Sequence, residues 1–121
     1  MADEWRIEFP WTKPLSMNDR GHHHARARKV AQYREDAGWC ARQARVQACK
    51  RVRVTLVYEP RDERRRDPLN LTATLKVVQD ALVDIGVVPD DTVEYMETVT
   101  PIIDLPNGKE GKLWALVERV G

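Results

Sequence analysis

Apolar residues along the chain recur with two periods, and the change from one to the other marks out the elements. Trp5, Ile7 and Phe9 alternate with Glu4, Arg6 and Glu8, the period-2 pattern of a half-buried strand, which Pro10 and Pro14 end. From about Ala25 to Ala48 the period lengthens: Val30, Tyr33, Ala37, Cys40, Ala44 and Ala48 follow at intervals of three and four, in a proline-free stretch rich in Ala, Arg and Gln. This predicts a long helix whose outer surface carries Arg26, Lys29, Arg34, Arg42 and Arg45, with Gly38 as a point of bending. Val52, Val54, Leu56 and Tyr58 then return to alternation up to Glu59-Pro60. Leu71, Leu75, Val78, Leu82 and Ile85 predict a second helix, with Asn70 as N-cap and Gly86 as its stop. A strand-like stretch runs from Val93 to Ile103, Asn107-Gly108 is a hairpin signal, and Leu113, Ala115 and Val117 form the returning strand.

The pattern predicts an α+β fold in the order β-α-β-α-β-β: a small mixed sheet of about four strands packed with two main helices. With 121 residues and no linker or repeat, one domain over 1–121 is expected. No apolar run approaches the roughly 18 residues a membrane span needs. The acidic Met1–Trp5 start has no secretory pattern, so a soluble cytoplasmic protein is expected. Cys40 and Cys49 make neither a disulfide framework nor a four-ligand zinc site.

The formal net charge of +1 conceals an asymmetry: residues 1–19 carry −2, residues 20–66 carry +9 and residues 67–121 carry −6. A basic segment feeding an acidic one suits a protein that attracts a polyanion and holds a cation against it. Solvated, mutually compensating surface charge fits the same count. On the second helix, Thr72, Lys76 and Asp80 share a face at i, i+4 and i+8. Asp80 and Asp84 lie in its C-terminal half, where the helix dipole disfavours negative charge unless a cation is near. Asp67 precedes the helix and Asp90-Asp91 follow it, so these acids meet only if the chain folds back along the helix. Carboxylates gathered without Cys or His are hard oxygen donors of the kind that bind Mg²⁺ or Mn²⁺. Taken singly, each has an ordinary alternative: Lys76–Asp80 as a surface pair, Asp90-Asp91 as a turn. His22-His23-His24, set between a loop and the basic helix, reads as surface or phosphate-contacting rather than metal-binding.

Three segments in order carry a resemblance: Arg65-Arg66-Asp67-Pro68-Leu69-Asn70-Leu71, Lys76-Val77-Val78-Gln79-Asp80-Ala81-Leu82 and Gly86-Val87-Val88-Pro89-Asp90-Asp91. With Phe9-Pro10-Trp11 and Pro14-Leu15-Ser16-Met17-Asn18 before them, the chain resembles the RusA-type endodeoxyribonucleases, Holliday-junction resolvases common in phages and prophages, over nearly its whole length. The resemblance implies a homodimeric Mg²⁺-dependent nuclease, with Mn²⁺ as a substitute, that nicks four-way DNA junctions symmetrically. It implies Asp67 and Asp91 as metal ligands and Lys76 as the essential lysine. Leu69 stands where the family often has a second acid, and the interval from Asn70 to Lys76 is longer by three residues than in the shorter family form. Asp80, or after it Asp90, is then expected to complete the metal shell. Arg20, Arg26, Lys29, Arg64, Arg65, Arg66 and Asn70 are the expected DNA contacts.

Overall fold

A computed structural model of the chain describes residues 3–16 and 23–121. It is an α+β fold of two helices and a mixed five-stranded sheet. In chain order the elements are β1 (Glu4–Glu8), α1 (His23–Gln43), β2 (Val52–Glu59), a 3₁₀ turn (Pro68–Leu71), α2 (Thr72–Asp84), β3 (Met96–Thr98), β4 (Ile102–Ile103) and β5 (Lys112–Arg119). Among the described residues no helix is long and apolar enough to cross a membrane.

The sheet runs β1-β5-β2, with β5 antiparallel to both neighbours; β3 and β4 both pair in parallel with the far edge of β2. Alternation sets the register. Trp5 lies opposite Val117 and Val117 opposite Val54; Ile7, Ala115 and Leu56 form the next row. All six are buried, so a slip of one residue would turn each row out to water. Both helices cover this face, α1 through Ala37 and Ala41 and α2 through Leu75, Val78, Ala81 and Leu82.

Several expectations change. The stretch from Val93 to Ile103 is two short strands, parted by a segment containing the buried Pro101, which has no N–H to give to a ladder. Asn107-Gly108 makes a turn, with Gly108 at φ +70°, yet closes no hairpin. The strand before it pairs on one side of β2 and the strand after it on the other. α1 ends at Gln43 rather than near Ala48, because Arg45 takes the left-handed conformation (φ 62°) and the Val46 amide reaches back to the Ala41 carbonyl at 3.2 Å. Gly38 does not interrupt α1; it is buried, and a Cβ there would stand 3.4 Å from the Ile85 side chain, an ordinary packing distance. α2 stops as expected at Gly86 (φ +82°), with the Val87 amide on the Leu82 carbonyl at 2.9 Å.

Candidate active site

Two groups of residues on α2 and its approaches carry the chemistry. The first is a cleft at the start of the helix. Asp67, not Asn70, is the cap there: its Oδ1 accepts the Leu69 amide at 3.0 Å and its carbonyl accepts the Asn70 amide at 2.9 Å. With Pro68 fixing the first position, Asp67-Pro68-Leu69-Asn70 winds a 3₁₀ turn straight into α2. Beside it the segment Lys13–Ser16 is tied down by the Leu15 amide, which donates to the wholly buried Thr74 hydroxyl at 2.8 Å. Arg26 of α1 donates to the Ser16 carbonyl. Across the cleft Gly111 meets the Pro10–Pro14 segment so closely that a Cβ would fall 2.1 Å from the Thr12 carbonyl oxygen.

The cleft encloses about 720 Å³, and Arg61, Arg64, Arg65, Arg66, Asp67 and Asn70 line it with Lys13 to Ser16. Its arginines differ in what they are free to do. Arg66 is clamped, donating to the Asp62 carbonyl at 2.7 Å, the Asp62 carboxylate at 2.8 Å and the Arg64 carbonyl at 3.0 Å. The Arg66 hydrogen bond, then that from the Arg64 amide, hold the Asp62 carboxyl below the usual carboxylate range. Arg64 pairs with Asp62 at 3.2 Å while its side chain remains 82% exposed. Arg65 is exposed and has no ion pair among the described residues. Arg64 and Arg65 can therefore reach a phosphate, whereas Arg66 builds the loop that presents them.

The second group lies on the flank of α2. Lys76 Nζ stands 3.1 Å from Asp80 Oδ1 and also hydrogen-bonds Asp91 Oδ2, so the turn after α2 does fold back onto the helix. The Asp91 hydrogen bond, then that of Asp80, raise the Lys76 ammonium above its ordinary pKa; Lys76 in turn lowers Asp91 below the carboxylate range. Asp90 is exposed, and its Oδ1 accepts the Asp91 amide at 2.8 Å. The other oxygen of Asp80 faces Arg34 of α1 at 3.9 Å, and Arg34 is held by Asp84 through two hydrogen bonds of 2.5 and 2.7 Å.

Lys76, Asp80 and Asp91 are thus brought together, with Asp90 adjacent. Asp67 is not among them. It is spent on capping the 3₁₀ turn and lies in the arginine cleft, so the expected shell of Asp67, Asp80, Asp90 and Asp91 is not assembled. Among the described residues no three of His, Cys, Asp or Glu are placed to share one metal ion. The two carboxylates that do converge, Asp80 and Asp91, meet on one ammonium, that of Lys76. Asp80, Asp84, Asp90 and Asp91 against Arg34 and Lys76 leave two negative charges in the group.

Lys29 and Asn70 are exposed, as DNA contacts require, whereas Arg26 is engaged with Ser16; Arg20, Met17, Asn18 and His22 lie outside the described residues. Sequence reasoning missed Asp62 and Thr74 as working parts of these groups, and did not join Arg34 to Asp84. The signal for Arg34 lies in the sequence, since acids at positions 80 and 84 near a helix C-terminus need a cation, and a basic helix precedes them. No known family model matches the chain, and no curated protein matches it.

Proposed function

We propose that this chain is a Mg²⁺-dependent endodeoxyribonuclease that resolves four-way DNA junctions by paired nicks, hydrolysing one phosphodiester in each of two strands. The observation that carries the reading is the meeting of Lys76 with Asp80 and Asp91, on the same helix whose start forms a cleft rich in arginine. It is supported by the resemblance of the surrounding motifs to the RusA-type nucleases. Asp80 and Asp91 are the residues that would hold the ion, which would polarise the scissile phosphate and acidify a bound water. Mn²⁺ would serve in its place. Lys76 is the cation within reach to offset charge that builds on the phosphate oxygens. Arg64 and Arg65 contact phosphates, so they fix the position of the strand and read shape rather than base sequence. Two cuts per junction call for two centres, hence a homodimer, working in the cytoplasm of a bacterium and consistent with phage or prophage origin.

The test is incubation of the purified protein with a synthetic four-way junction and Mg²⁺. Paired symmetric nicks are expected, lost in Asp91→Asn and Asp80→Asn while gel-shift binding persists. Cleavage unchanged in both variants removes the assigned chemistry. A second reading, a junction-binding protein with weak or no catalysis, is favoured by the two-acid grouping and by Leu69, which is 61% exposed where the family often has an acid. On that reading the wild type binds four-way junctions without turnover in Mg²⁺ or Mn²⁺.

A further inference from the structure

The arginine cleft has an apolar lining as well as charges. Buried Leu15 and Leu71 and half-buried Ile103 of β4 face it, and so does Tyr58, next to last in β2. Tyr58 is only 7% exposed, and its ring is held in place. The clamped Arg66 guanidinium stands 5.7 Å from the ring centre, and a Cβ on Gly111 would fall 3.3 Å from the ring edge. The Tyr58 hydroxyl nevertheless has no hydrogen-bond partner among the described residues. A buried phenol ordinarily has one, so its partner must come from the cleft. The charges are likewise unspent. Arg64 and Arg66 pair with Asp62, whereas Lys13, Arg61 and Arg65 are exposed and enter no ion pair among the described residues. Five cations against the carboxylates of Asp62, Asp67 and Glu110 leave the cleft a net charge of +2.

We infer that this cleft takes one unpaired nucleotide of a DNA strand: the base lies on the apolar lining, the Tyr58 hydroxyl hydrogen-bonds the base edge, and the flanking phosphates meet Arg61, Arg64 and Arg65. This rests on the proposed function only in taking DNA as the polymer, and asks nothing of the chemistry at Lys76. Phosphate alone would be served by the exposed cations and would leave Tyr58, Leu15 and Ile103 without a role. A duplex is too broad for a cleft of about 720 Å³, a size typical of sites for small molecules. A base still paired and stacked in a duplex cannot enter either. Taking a base out of the stack costs least where it is already unpaired, so the cleft favours a strand at a branch or a single-stranded end over continuous duplex.

Base and phosphate contributions separate in one experiment. Fluorescence anisotropy on the full chain in EDTA compares a labelled oligothymidylate with an abasic strand of equal length, which has the same phosphates and no bases. The oligothymidylate is expected to bind about tenfold tighter, because only it fills the apolar lining. Tyr58→Phe keeps the packed ring and removes the hydroxyl. It is expected to weaken the oligothymidylate about fivefold and to leave the abasic strand unchanged. Arg65→Gln is expected to weaken both strands alike. Circular dichroism melts verify that each variant is folded, and the comparison of the two strands on the wild type needs no variant. Equal affinity for the two strands, or no binding of either, overturns the inference. So does a Tyr58→Phe variant that weakens both strands alike or neither. If thymidine monophosphate binds as tightly as the oligothymidylate, the cleft is a site for a free nucleotide and the inference also falls. A protein that prefers the base-bearing strand through Tyr58 yet cuts no junction in Mg²⁺ upholds the inference while the nuclease reading fails. One that cuts junctions but binds the two strands equally does the reverse.

Discussion

Thr74 offers the sharpest test of how the cleft is held. Its side chain is wholly buried, and its hydroxyl accepts the Leu15 amide at 2.8 Å across 59 residues of sequence. Thr74→Val keeps the volume and removes the acceptor. The Leu15 amide then faces a methyl group in a site closed to water, at a cost of about 2 kcal/mol for an unsatisfied buried donor. For a domain of this size that is a fall of roughly 8 °C in Tm. Thr74→Ser keeps the acceptor and deletes one buried methyl, a loss of about 1 kcal/mol. The order wild type, Ser, Val is therefore expected in urea melts followed by circular dichroism. A second consequence separates the cleft from the core: Leu15 sits in the segment that walls the arginine cleft, so Thr74→Val should weaken junction binding more than Thr74→Ser does at a temperature where both are folded. If valine proves as stable as serine or more so, the hydrogen bond is not what docks that segment, and the account of the cleft wall fails.

Three further outcomes are expected. The Asp91 carboxyl, lowered by Lys76, contributes to stability above its unfolded pKa, and that contribution is lost as pH falls through its folded value; the raised Lys76 contributes below its own unfolded pKa and loses this only as pH rises through its folded value. The pair therefore stays intact from about pH 4 to about pH 10, and NMR titration of Asp91 should show its midpoint rising toward the ordinary carboxylate value in Lys76→Met; an unmoved midpoint refutes the pairing. Arg45, an L-residue held at φ 62°, should gain about 0.5–1 kcal/mol on replacement by glycine, measured by urea denaturation; a loss of stability would show that its side chain makes up the strain. Arg65→Gln should reduce the slope of log binding constant against log salt by about one unit, with melting unchanged, whereas Arg66→Gln should lower Tm as well because it undoes the Asp62 clamp.

The strands and the buried stripe of α2 were legible because burial imposes a strict period, and Ile7, Val54, Leu75 and Leu82 all lie inside as their spacing demands. What escaped was decided by single long-range partners. The end of α1 depended on Arg45 accepting a left-handed backbone that its composition does not announce. The split of the stretch from Val93 to Ile103 depended on pairing with β2, which period alone does not specify. At the site, the i, i+4 spacing made Lys76 and Asp80 neighbours, and the meeting with Asp91 followed from the chain turning back at Gly86. Asp67 was misplaced for a different reason: an acid before a helix serves equally well as a cap or as a metal ligand, and local hydrogen bonding to Leu69 settled its geometry.

Strand β5, last of the strands in chain order, lies between β1 and β2 in the sheet and pairs with both. A ribosome that has released everything up to Gly111 has made both neighbouring strands and all of both helices, yet the sheet still lacks its middle. Assembly of the sheet must therefore wait for β5, whose pairings with β1 and β2 each close a large loop, a topology that folds slowly. Prematurely terminated chains would expose two unzipped edges and half a core, which marks them for aggregation or proteolysis rather than for partial activity.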